Sequence, residues 1–232
     1  MGVNLPAKIL EAFEIHKKYS IGENQLHVLR GIDLSVATGE IVAIVGASGA
    51  GKSTLLHILG TLDKPTSGTV IYAGVDVFLL PDNKLAQFRN LQIGFVFQFH
   101  HLLPEFSALE NVSMPAMIAG KKLSQVRPSA TRLLAEVGLA DRLEHRPAEL
   151  SGGEQQRIAV ARALINNPKL VLADEPSGNL DSVTANSLHE LIMDLCRRHN
   201  TTFVIATHND HLSSLAHRVL KIEDGVISGW KD

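Results

Sequence analysis

The sequence predicts an α/β fold with a parallel sheet at its core. Four short runs are rich in Val, Ile, Leu and Phe and lack strict alternation with polar residues, which is typical of strands buried on both faces of a sheet. These runs are residues 41–45, 93–97, 170–174 and 203–207. The segment 182–199 between the last two carries an apolar helical stripe, formed by Leu188, Leu191, Ile192 and Leu195. Since a strand, a helix and a strand of these lengths form a crossover unit, we expect the strands to be parallel.

The two ends of the chain predict antiparallel structure instead. Residues 8–19 and 27–40 alternate between polar and apolar side chains and contain glycine turns, so we expect an antiparallel β flank beside the main sheet. Near the other end, Asp224 and Gly225 separate two alternating runs. An Asp-Gly pair in this position is typical of a hairpin with a type I′ turn.

Residues 99–166 have the pattern of short helices, with Leu133, Leu134 and Val137 on one side of a helix. We expect proline to divide this region, and the prolines are Pro104, Pro115, Pro128 and Pro147. The predicted organisation is therefore a single domain, residues 1–232. In it, residues 1–98 and 167–232 form the core with its β flank, and residues 99–166 form an inserted helical subdomain.

Composition excludes several classes of protein. The chain has 232 residues, with 22 basic and 24 acidic side chains and a net charge of −2, which argues against binding to nucleic acid. No apolar run approaches the ~20 residues of a membrane-spanning helix, so we expect no direct membrane insertion. The first ten residues, MGVNLPAKIL, lack the pattern of a secretory signal, and the lone Cys196 suits a reducing compartment. We expect the protein to stay inside the cell.

A glycine-rich segment, GASGAGKS, follows directly on the strand at 41–45 and precedes a predicted helix. This is the P-loop pattern in its required context, in which backbone N–H groups and a helix N-terminus face phosphate oxygens. The expected nucleotide-binding residues are Gly46, Ala47, Ser48, Gly49, Ala50, Gly51, Lys52, Ser53 and Thr54. We expect Lys52 to meet the β- and γ-phosphates, Ser53 to ligate Mg²⁺ and Thr54 to hold the α-phosphate. The alternative is an ordinary glycine-rich turn.

Two adjacent acids end the strand at 170–174. Asp174 lies at the carboxyl edge of the predicted sheet, where it can hold Mg²⁺ through water as a Walker B residue. Glu175 follows it and can polarise the attacking water. Either acid could instead be a strand-end charge or a helix cap, but the acid pair in a chain with a P-loop favours a catalytic function.

The segment LSGGEQQR covers residues 150–157. Ser151 and Glu154 have the spacing of a capping box, so a helix is expected to begin here, and the two glycines leave N–H groups that favour an anion. Alone, this segment could be a well-capped helix. Together with the P-loop it resembles the signature sequence of ABC-type ATPases, and the resemblance covers essentially the whole chain. It implies an α/β P-loop NTPase fold that binds ATP and Mg²⁺.

The resemblance also implies a head-to-tail homodimer that sandwiches two nucleotides. In that dimer Ser151, Gly152 and Gly153 bind the ATP held by the P-loop of the other copy, and Asp181 crosses the interface. Further nucleotide contacts are implied for Tyr19, which stacks on adenine, and for Gln98, which senses Mg²⁺ and the attacking water. His208 matches the switch histidine at the γ-phosphate. The implied catalytic residues are Lys52, Gln98, Glu175 and His208, and the implied magnesium residues are Ser53, Gln98 and Asp174.

The stretch QFHHLLPEF, residues 98–106, begins at Gln98 and is rich in apolar residues. In transporters of the family this junction receives a helix of a membrane subunit, so two integral membrane permeases are expected to contact the chain near Phe99–Phe106. Alternatively, these side chains pack the core of the helical subdomain.

Three longer strings narrow the resemblance. They are QFHHLLP, ALENV and NNPKLVLADEPSGNLD, and they resemble the ATPases of lipoprotein-releasing transporters, which lie on the cytoplasmic face of the bacterial inner membrane. The implied function is ATP hydrolysis that drives release of lipoproteins toward the outer membrane. An ATPase of a related macrolide or peptide exporter or of a cell-division complex stays an alternative, as does a soluble ABC ATPase without a transport function.

Overall fold

A computed structural model describes residues 7–22 and 24–231. The expectation about a secretory signal falls largely on residues 1–6, which lie outside the described residues. The strands are β1 (Lys8–Ile21), β2 (Asn24–Ala37), β3 (Ile41–Val45), β4 (Ser67–Tyr72), β5 (Val75–Asp76), β6 (Ile93–Phe97), β7 (Leu170–Asp174), β8 (Thr202–Ala206), β9 (Arg218–Glu223) and β10 (Val226–Lys231). The helices are α1 (Lys52–Leu59), α2 (Asp82–Gln92), α3 (Ala108–Ile118), α4 (Leu123–Glu136), α5 (Gly152–Leu164), α6 (Ser182–His199) and α7 (Asp210–Ser214).

The described strands form two sheets. The larger sheet has the order β10-β9-β3-β8-β7-β6, and its neighbouring strands from β9 to β6 are parallel. β10 pairs with β9 as an antiparallel hairpin. Its turn places Asp224 at φ 48° and Gly225 at φ 79°, two left-handed residues as a type I′ turn requires. The predicted α/β class with a parallel core is confirmed.

The second sheet is the predicted antiparallel flank. Its order is β2-β1-β4-β5, and β1 pairs with β2 from Lys8 opposite Ala37 to Ile21 opposite Asn24, with several bulges. Bulges increase the local twist of a strand pair, which lets the long strands β1 and β2 bend over the larger sheet.

Two hydrophobic cores lie on opposite faces of the larger sheet. Along β7, Leu170 and Leu172 belong to the core shared with α1 and the antiparallel flank. The intervening Val171 and Ala173 belong to the core shared with α3–α6. Because successive side chains of a strand point to opposite faces, a strand between two cores must be apolar at every position. This explains the continuous apolar runs seen in the sequence.

Two helices run through prolines, and the expectation of shorter helices was wrong at both places. Pro115 lies inside α3 and Pro128 inside α4. An internal proline costs about 3 kcal/mol, but each helix buries an apolar face that offsets this cost. The buried side chains include Val112 and Ala116 of α3 and Leu133 and Leu134 of α4. The predicted boundaries of the helical subdomain, residues 99–166, enclose α3–α5, and the subdivision itself stays a prediction.

Candidate nucleotide-binding site

Four neighbouring strands of the larger sheet end at the same level. Ile44 of β3 pairs with Ala206 of β8, Ala206 pairs with Asp174 of β7, and Asp174 pairs with Phe97 of β6. The segments that follow these strands therefore leave the sheet side by side. They carry, in this order, the P-loop, His208, Glu175 and Gln98. Because ligands of parallel sheets bind beyond the carboxyl ends of the strands, this edge is the candidate site.

The P-loop curls tightly over the end of β3. Gly46 has φ 156°, and a Cβ atom there would overlap the carbonyl oxygen of Ile222. Gly51 has φ 107° and caps α1, a left-handed conformation that favours glycine. The Nζ atom of Lys52 donates to the carbonyl oxygens of Gly46 at 2.9 Å and Ala47 at 3.1 Å. The loop thus holds an ammonium group beside the first turn of α1, whose free N–H groups favour an anion.

A pocket of about 470 Å³ lies over this edge. It is lined by Val28, Ser48, Gly49, Gly51, Lys52, Ser53, Thr54, Gln98, Glu175 and His208. The structure therefore brings together residues of the P-loop with three residues predicted from distant parts of the chain. Val28 of β2 was missed by the sequence analysis, since a single apolar residue of a strand belongs to no motif.

Glu175 and His208 form a pair at the pocket. Nδ1 of His208 lies 2.9 Å from Oε1 of Glu175, and the His208 backbone N–H donates to Oε2 at 3.3 Å. Glu175 has φ 45°, a conformation that is strained for a residue with a side chain. Its backbone N–H donates to the carbonyl oxygen of Ala206 at 2.9 Å. These bonds hold the strained residue and orient its carboxylate into the pocket.

Asp174 is the neighbour of Glu175 at the end of β7 and is partly buried. Its Oδ1 atom is buried without a hydrogen-bond partner, and burial raises the pKa of the carboxyl group while Ser53 opposes that shift. A buried carboxylate oxygen without a partner is costly unless a cation or water satisfies it. Asp174, Ser53 and Gln98 together offer carboxylate, hydroxyl and amide oxygens, which are the ligands that Mg²⁺ prefers. The donor set therefore fits a magnesium ion.

Tyr19 lies beside the pocket on β1. Its hydroxyl donates to Oδ2 of Asp63 at 2.8 Å, and Lys17 donates to Oδ1 of the same carboxylate at 2.6 Å. The Lys17 ammonium also sits 4.8 Å from the centre of the Tyr19 ring. Burial alone would raise the pKa of Asp63, but these two hydrogen bonds lower it. The ring is thus fixed by partners that no sequence motif indicated, and it borders Thr54 of the P-loop helix.

The remaining predicted residues lie elsewhere in the chain. Ser151 caps α5, and its capping box with Glu154 forms as predicted. Asp181 caps α6 by accepting from the N–H groups of Val183 and Thr184, each at 3.1 Å. A Cβ atom on Gly153 would lie 2.5 Å from the side chain of Thr184, so the signature packs against the start of α6. Within the part of the chain that the structure describes, the signature and Asp181 do not line the pocket.

A buried histidine supports the loop between Glu175 and Asp181. Nε2 of His189, on α6, lies 2.7 Å from Oγ of Ser177. Both side chains are buried. Burial, and to a smaller extent the charge of the nearby His211, lowers the pKa of His189 to about 4. His189 is therefore neutral at neutral pH. The sequence analysis gave it no role, because the hydrogen bond to Ser177 exists only in the folded chain.

The described residues contain neither a membrane-spanning helix nor a cluster of metal-binding side chains. Over residues 7–22 and 24–231, no helix combines the length and the apolar character needed to cross a membrane. In the same ranges, no three or more His, Cys, Asp or Glu side chains are grouped in a way that could hold a metal ion by themselves. A magnesium ion in the pocket would thus depend on mixed oxygen ligands and on the phosphates of a nucleotide.

A P-loop pocket on a parallel sheet, with the signature held outside it, is the arrangement of an ATP-binding cassette. The sequence pattern of the ABC transporter family matches residues 29–178, and the chain belongs to this family. It is an ATPase of that family.

Relatives with known names agree with this class. The "Lipoprotein-releasing system ATP-binding protein LolD" of Geobacter metallireducens is 58% identical over 219 residues, which cover 94% of this chain and 97% of the relative. The protein of the same name from Porphyromonas gingivalis is 52% identical, over 94% of this chain and 98% of the relative. Both alignments span nearly complete chains.

Solved structures show the same fold. An ATP-binding cassette described as a dimer in a post-hydrolysis state, bound to ADP and Pi, superimposes with a TM-score of 0.88 at 36% identity. The match covers 96% of this chain and 98% of that one. A dimeric bacterial ABC transporter cassette matches over the same shares, with a TM-score of 0.89 and 37% identity.

Proposed function

We propose that this chain is the ATP-hydrolysing subunit of a transporter that releases lipoproteins from the inner membrane toward the outer membrane. The observation that carries the ATPase chemistry is the convergence of Lys52, Gln98, Glu175 and His208 on one pocket. The substrate class rests on the lipoprotein-releasing relatives, which are 52% to 58% identical over 94% of the chain.

In the proposed mechanism the P-loop binds ATP. Backbone N–H groups of the loop and the Lys52 ammonium neutralise the β- and γ-phosphates, while Tyr19 provides a flat surface for adenine. Ser53, Asp174 and Gln98 would hold Mg²⁺, which supplies charge neutralisation at the phosphates. These interactions place the γ-phosphate toward the rim of the pocket that bears Glu175 and His208.

The hydrolytic step is assigned to Glu175 and His208. Glu175 accepts a proton from the attacking water as general base. His208 orients the carboxylate through the 2.9 Å contact and contacts the γ-phosphate. Its side chain is 71% exposed, so it is accessible to a phosphate entering the pocket from the solvent side.

We assign Ser151, Gly152, Gly153 and Asp181 to a homodimer interface. They lie outside the pocket of their own chain, and the two matched cassettes are described as dimers. The glycines at the start of α5 leave N–H groups that suit a γ-phosphate. In a head-to-tail pair each signature would therefore close the pocket of the other copy.

A second cavity is proposed as the docking site of the membrane subunits. This apolar groove, of about 550 Å³, lies between α2, β6, α3 and α5 and includes His101 and Ile118. Ile118 is 71% exposed. Phe99 and Leu103, which lie two positions before and after His101 in the sequence, are 64% and 40% exposed. Leu102 instead packs against the core. An amphipathic helix suits a groove of this kind.

The partners in this proposal are two integral membrane permeases of the LolC/LolE type. Each would insert a cytoplasmic helix into the groove of one copy of this chain. The chain would then lie peripherally on the cytoplasmic face of the inner membrane, with its site coupled to the partner through the segment from Gln98 to Phe106. In this proposal the membrane subunits bind the lipoprotein, and ATP hydrolysis by this chain drives its release through them.

The test is reconstitution with candidate lipoprotein-releasing permeases in proteoliposomes loaded with a lipoprotein. We expect lipoprotein release that requires ATP and is abolished by Glu175→Gln. A stable complex that hydrolyses ATP but moves only drugs or peptides would overturn the substrate class and keep the ATPase. Absence of ATP hydrolysis by every complex would overturn the catalytic assignment.

A further inference from the structure

Asn179 lies in the segment NNPKLVLADEPSGNLD, but the sequence analysis gave it no role of its own. In the structure its side chain forms two hydrogen bonds with Gln98. Nε2 of Gln98 donates to Oδ1 of Asn179 at 3.0 Å, and Nδ2 of Asn179 donates to the backbone oxygen of Gln98 at 3.2 Å. The two residues lie 81 positions apart in the sequence. The loop after β7 is thereby joined directly to the segment after β6.

These two hydrogen bonds determine which amide atom of Gln98 faces the pocket. A backbone carbonyl oxygen can only accept, so Asn179 must direct its NH₂ group at the Gln98 backbone. The Oδ1 atom of Asn179 is then the one beside the Gln98 side chain, and an oxygen there needs a donor. Gln98 must therefore turn its NH₂ group to Asn179. Among the described residues, its Oε1 atom then has no hydrogen-bond partner and can serve as a ligand.

Gly178 packs behind the same amide. A Cβ atom at this position would lie 2.9 Å from Nε2 and 3.2 Å from Cδ of Gln98. Any larger residue would therefore push the Gln98 amide out of place. Gly178 is itself held near the site, because its N–H donates to the backbone oxygen of Glu175 at 3.0 Å.

We propose that Asn179 is a positioning residue that presents Oε1 of Gln98 to the metal ion of a bound metal–nucleotide complex. The inference rests on the proposed role of Gln98 as a magnesium residue and adds the group that orients it. An amide oxygen is a ligand of Mg²⁺, whereas an amide NH₂ group can only donate hydrogen bonds. Rotation of the Gln98 amide would thus replace a ligand with a group that the cation repels.

The experiment measures metal binding without turnover. Mn²⁺ serves as the probe, and its free concentration is read by electron paramagnetic resonance in the presence of a saturating non-hydrolysable ATP analogue. We expect Asn179→Ala to weaken Mn²⁺ binding about three- to tenfold, the equivalent of one lost hydrogen bond. Gly178→Ala is expected to weaken it similarly. Binding of the analogue without metal should stay unchanged in both variants.

A matched control is Asn83→Ala, because Asn83 is an exposed asparagine of α2 whose Oδ1 atom accepts a hydrogen bond from the adjacent Lys84 backbone N–H. This variant should bind Mn²⁺ like the wild type. A double-mutant cycle with Gln98→Ala then tests whether Asn179 affects Mn²⁺ binding through Gln98. If Asn179 acts through Gln98, Asn179→Ala adds no further loss once Gln98 is alanine.

The other possible results each contradict a specific part of the proposal. If Gln98→Ala weakens Mn²⁺ binding and Asn179→Ala does not, the positioning role is wrong while the proposed magnesium role of Gln98 stands. An additive loss in the double variant would show that Asn179 acts independently of Gln98, which also overturns the inference. If Gln98→Ala itself leaves Mn²⁺ binding intact, the magnesium role of Gln98 and the inference built on it are both wrong.

Discussion

At the scale of single residues, the site depends on side chains held in conformations they would not adopt alone. Glu175 has a left-handed backbone, stabilised by hydrogen bonds to Ala206 and His208. Tyr19 is fixed through Asp63 and Lys17. Such preorganisation lowers the cost of arranging catalytic and binding groups when the ligand arrives.

Glu175→Gln tests the proposed role of Glu175 as general base. We expect ATP hydrolysis to fall ~10²- to 10⁴-fold while nucleotide binding is retained, because the amide keeps the shape of the side chain but cannot accept a proton. The variant should also accumulate as an ATP-bound dimer in size-exclusion chromatography. Glu190→Gln, at an exposed position of α6, is the matched control and should hydrolyse ATP normally. Persistent monomers of Glu175→Gln at saturating ATP would contradict the sandwich dimer.

Asp63→Ala tests whether this carboxylate supports the proposed stacking of Tyr19 on adenine. Loss of the carboxylate frees the Tyr19 hydroxyl and the Lys17 ammonium, so we expect KM for ATP to rise about three- to tenfold with kcat little changed. Tyr19→Phe should reproduce part of this effect, and the two changes should not add. An unchanged KM in Asp63→Ala, measured by steady-state ATPase assay, would show that the carboxylate does not orient the ring.

At the scale of secondary-structure elements, the register of the parallel strands determines where the candidate site residues lie. The four parallel strand ends are level because β3, β8, β7 and β6 pair residue by residue, and a shift of one residue would turn every side chain to the opposite face. α6 then supports the loop above this edge through His189 and Ser177. A strand-end loop and a buried helix face therefore act as one unit.

We expect the free energy of unfolding to depend on pH through the buried His189. The pKa of His189 is lowered to about 4 by burial, whereas an unfolded histidine titrates near pH 6.5. Between these values the unfolded chain binds a proton that the folded chain does not, so the free energy of unfolding falls as the pH drops from 6.5 toward 4. The expected loss at pH 4 is about 3 kcal/mol.

His189→Gln isolates this contribution, since its amide stays neutral and can still reach Ser177. We expect the variant to lose less stability than the wild type between pH 6.5 and 4 in urea unfolding experiments. If wild type and variant lose stability equally over this range, protonation of His189 in the unfolded chain is not the cause.

At the scale of the whole molecule, the segment that begins at Gln98 lines both the pocket and the apolar groove. The pocket includes Gln98 itself, and the groove includes His101. Arg162 of α5 donates to the backbone oxygens of His100 and His101 at 2.7 and 2.8 Å. The segment is therefore tied to the helix that starts at the signature, which suits the transmission of nucleotide state to a partner.

Phe99→Arg tests this arrangement. Because Phe99 is 64% exposed, we expect the variant to fold and to bind nucleotide normally but to lose co-purification with the membrane subunits. Leu102→Arg is the contrasting variant, since Leu102 packs against the core, and we expect a lower Tm. Normal complex formation by Phe99→Arg would exclude this part of the chain as the docking surface.

The sequence by itself determined the features that depend on neighbouring residues. The P-loop, the capping box at Ser151, the Asp-Gly hairpin and the buried strands all follow from spacing within a few positions, so local chemistry was enough to predict them. Proline was the exception, because the burial of α3 and α4 outweighed its local cost.

Only the tertiary structure decided which distant side chains meet. Gln98 and Asn179 are 81 residues apart and Tyr19 and Asp63 are 44 apart, so no local pattern could relate them. It also decided that Phe99 and Leu103 face solvent while Leu102 packs inward. The physical reason is that strand register and core packing set these contacts, and both arise from the whole chain folding at once.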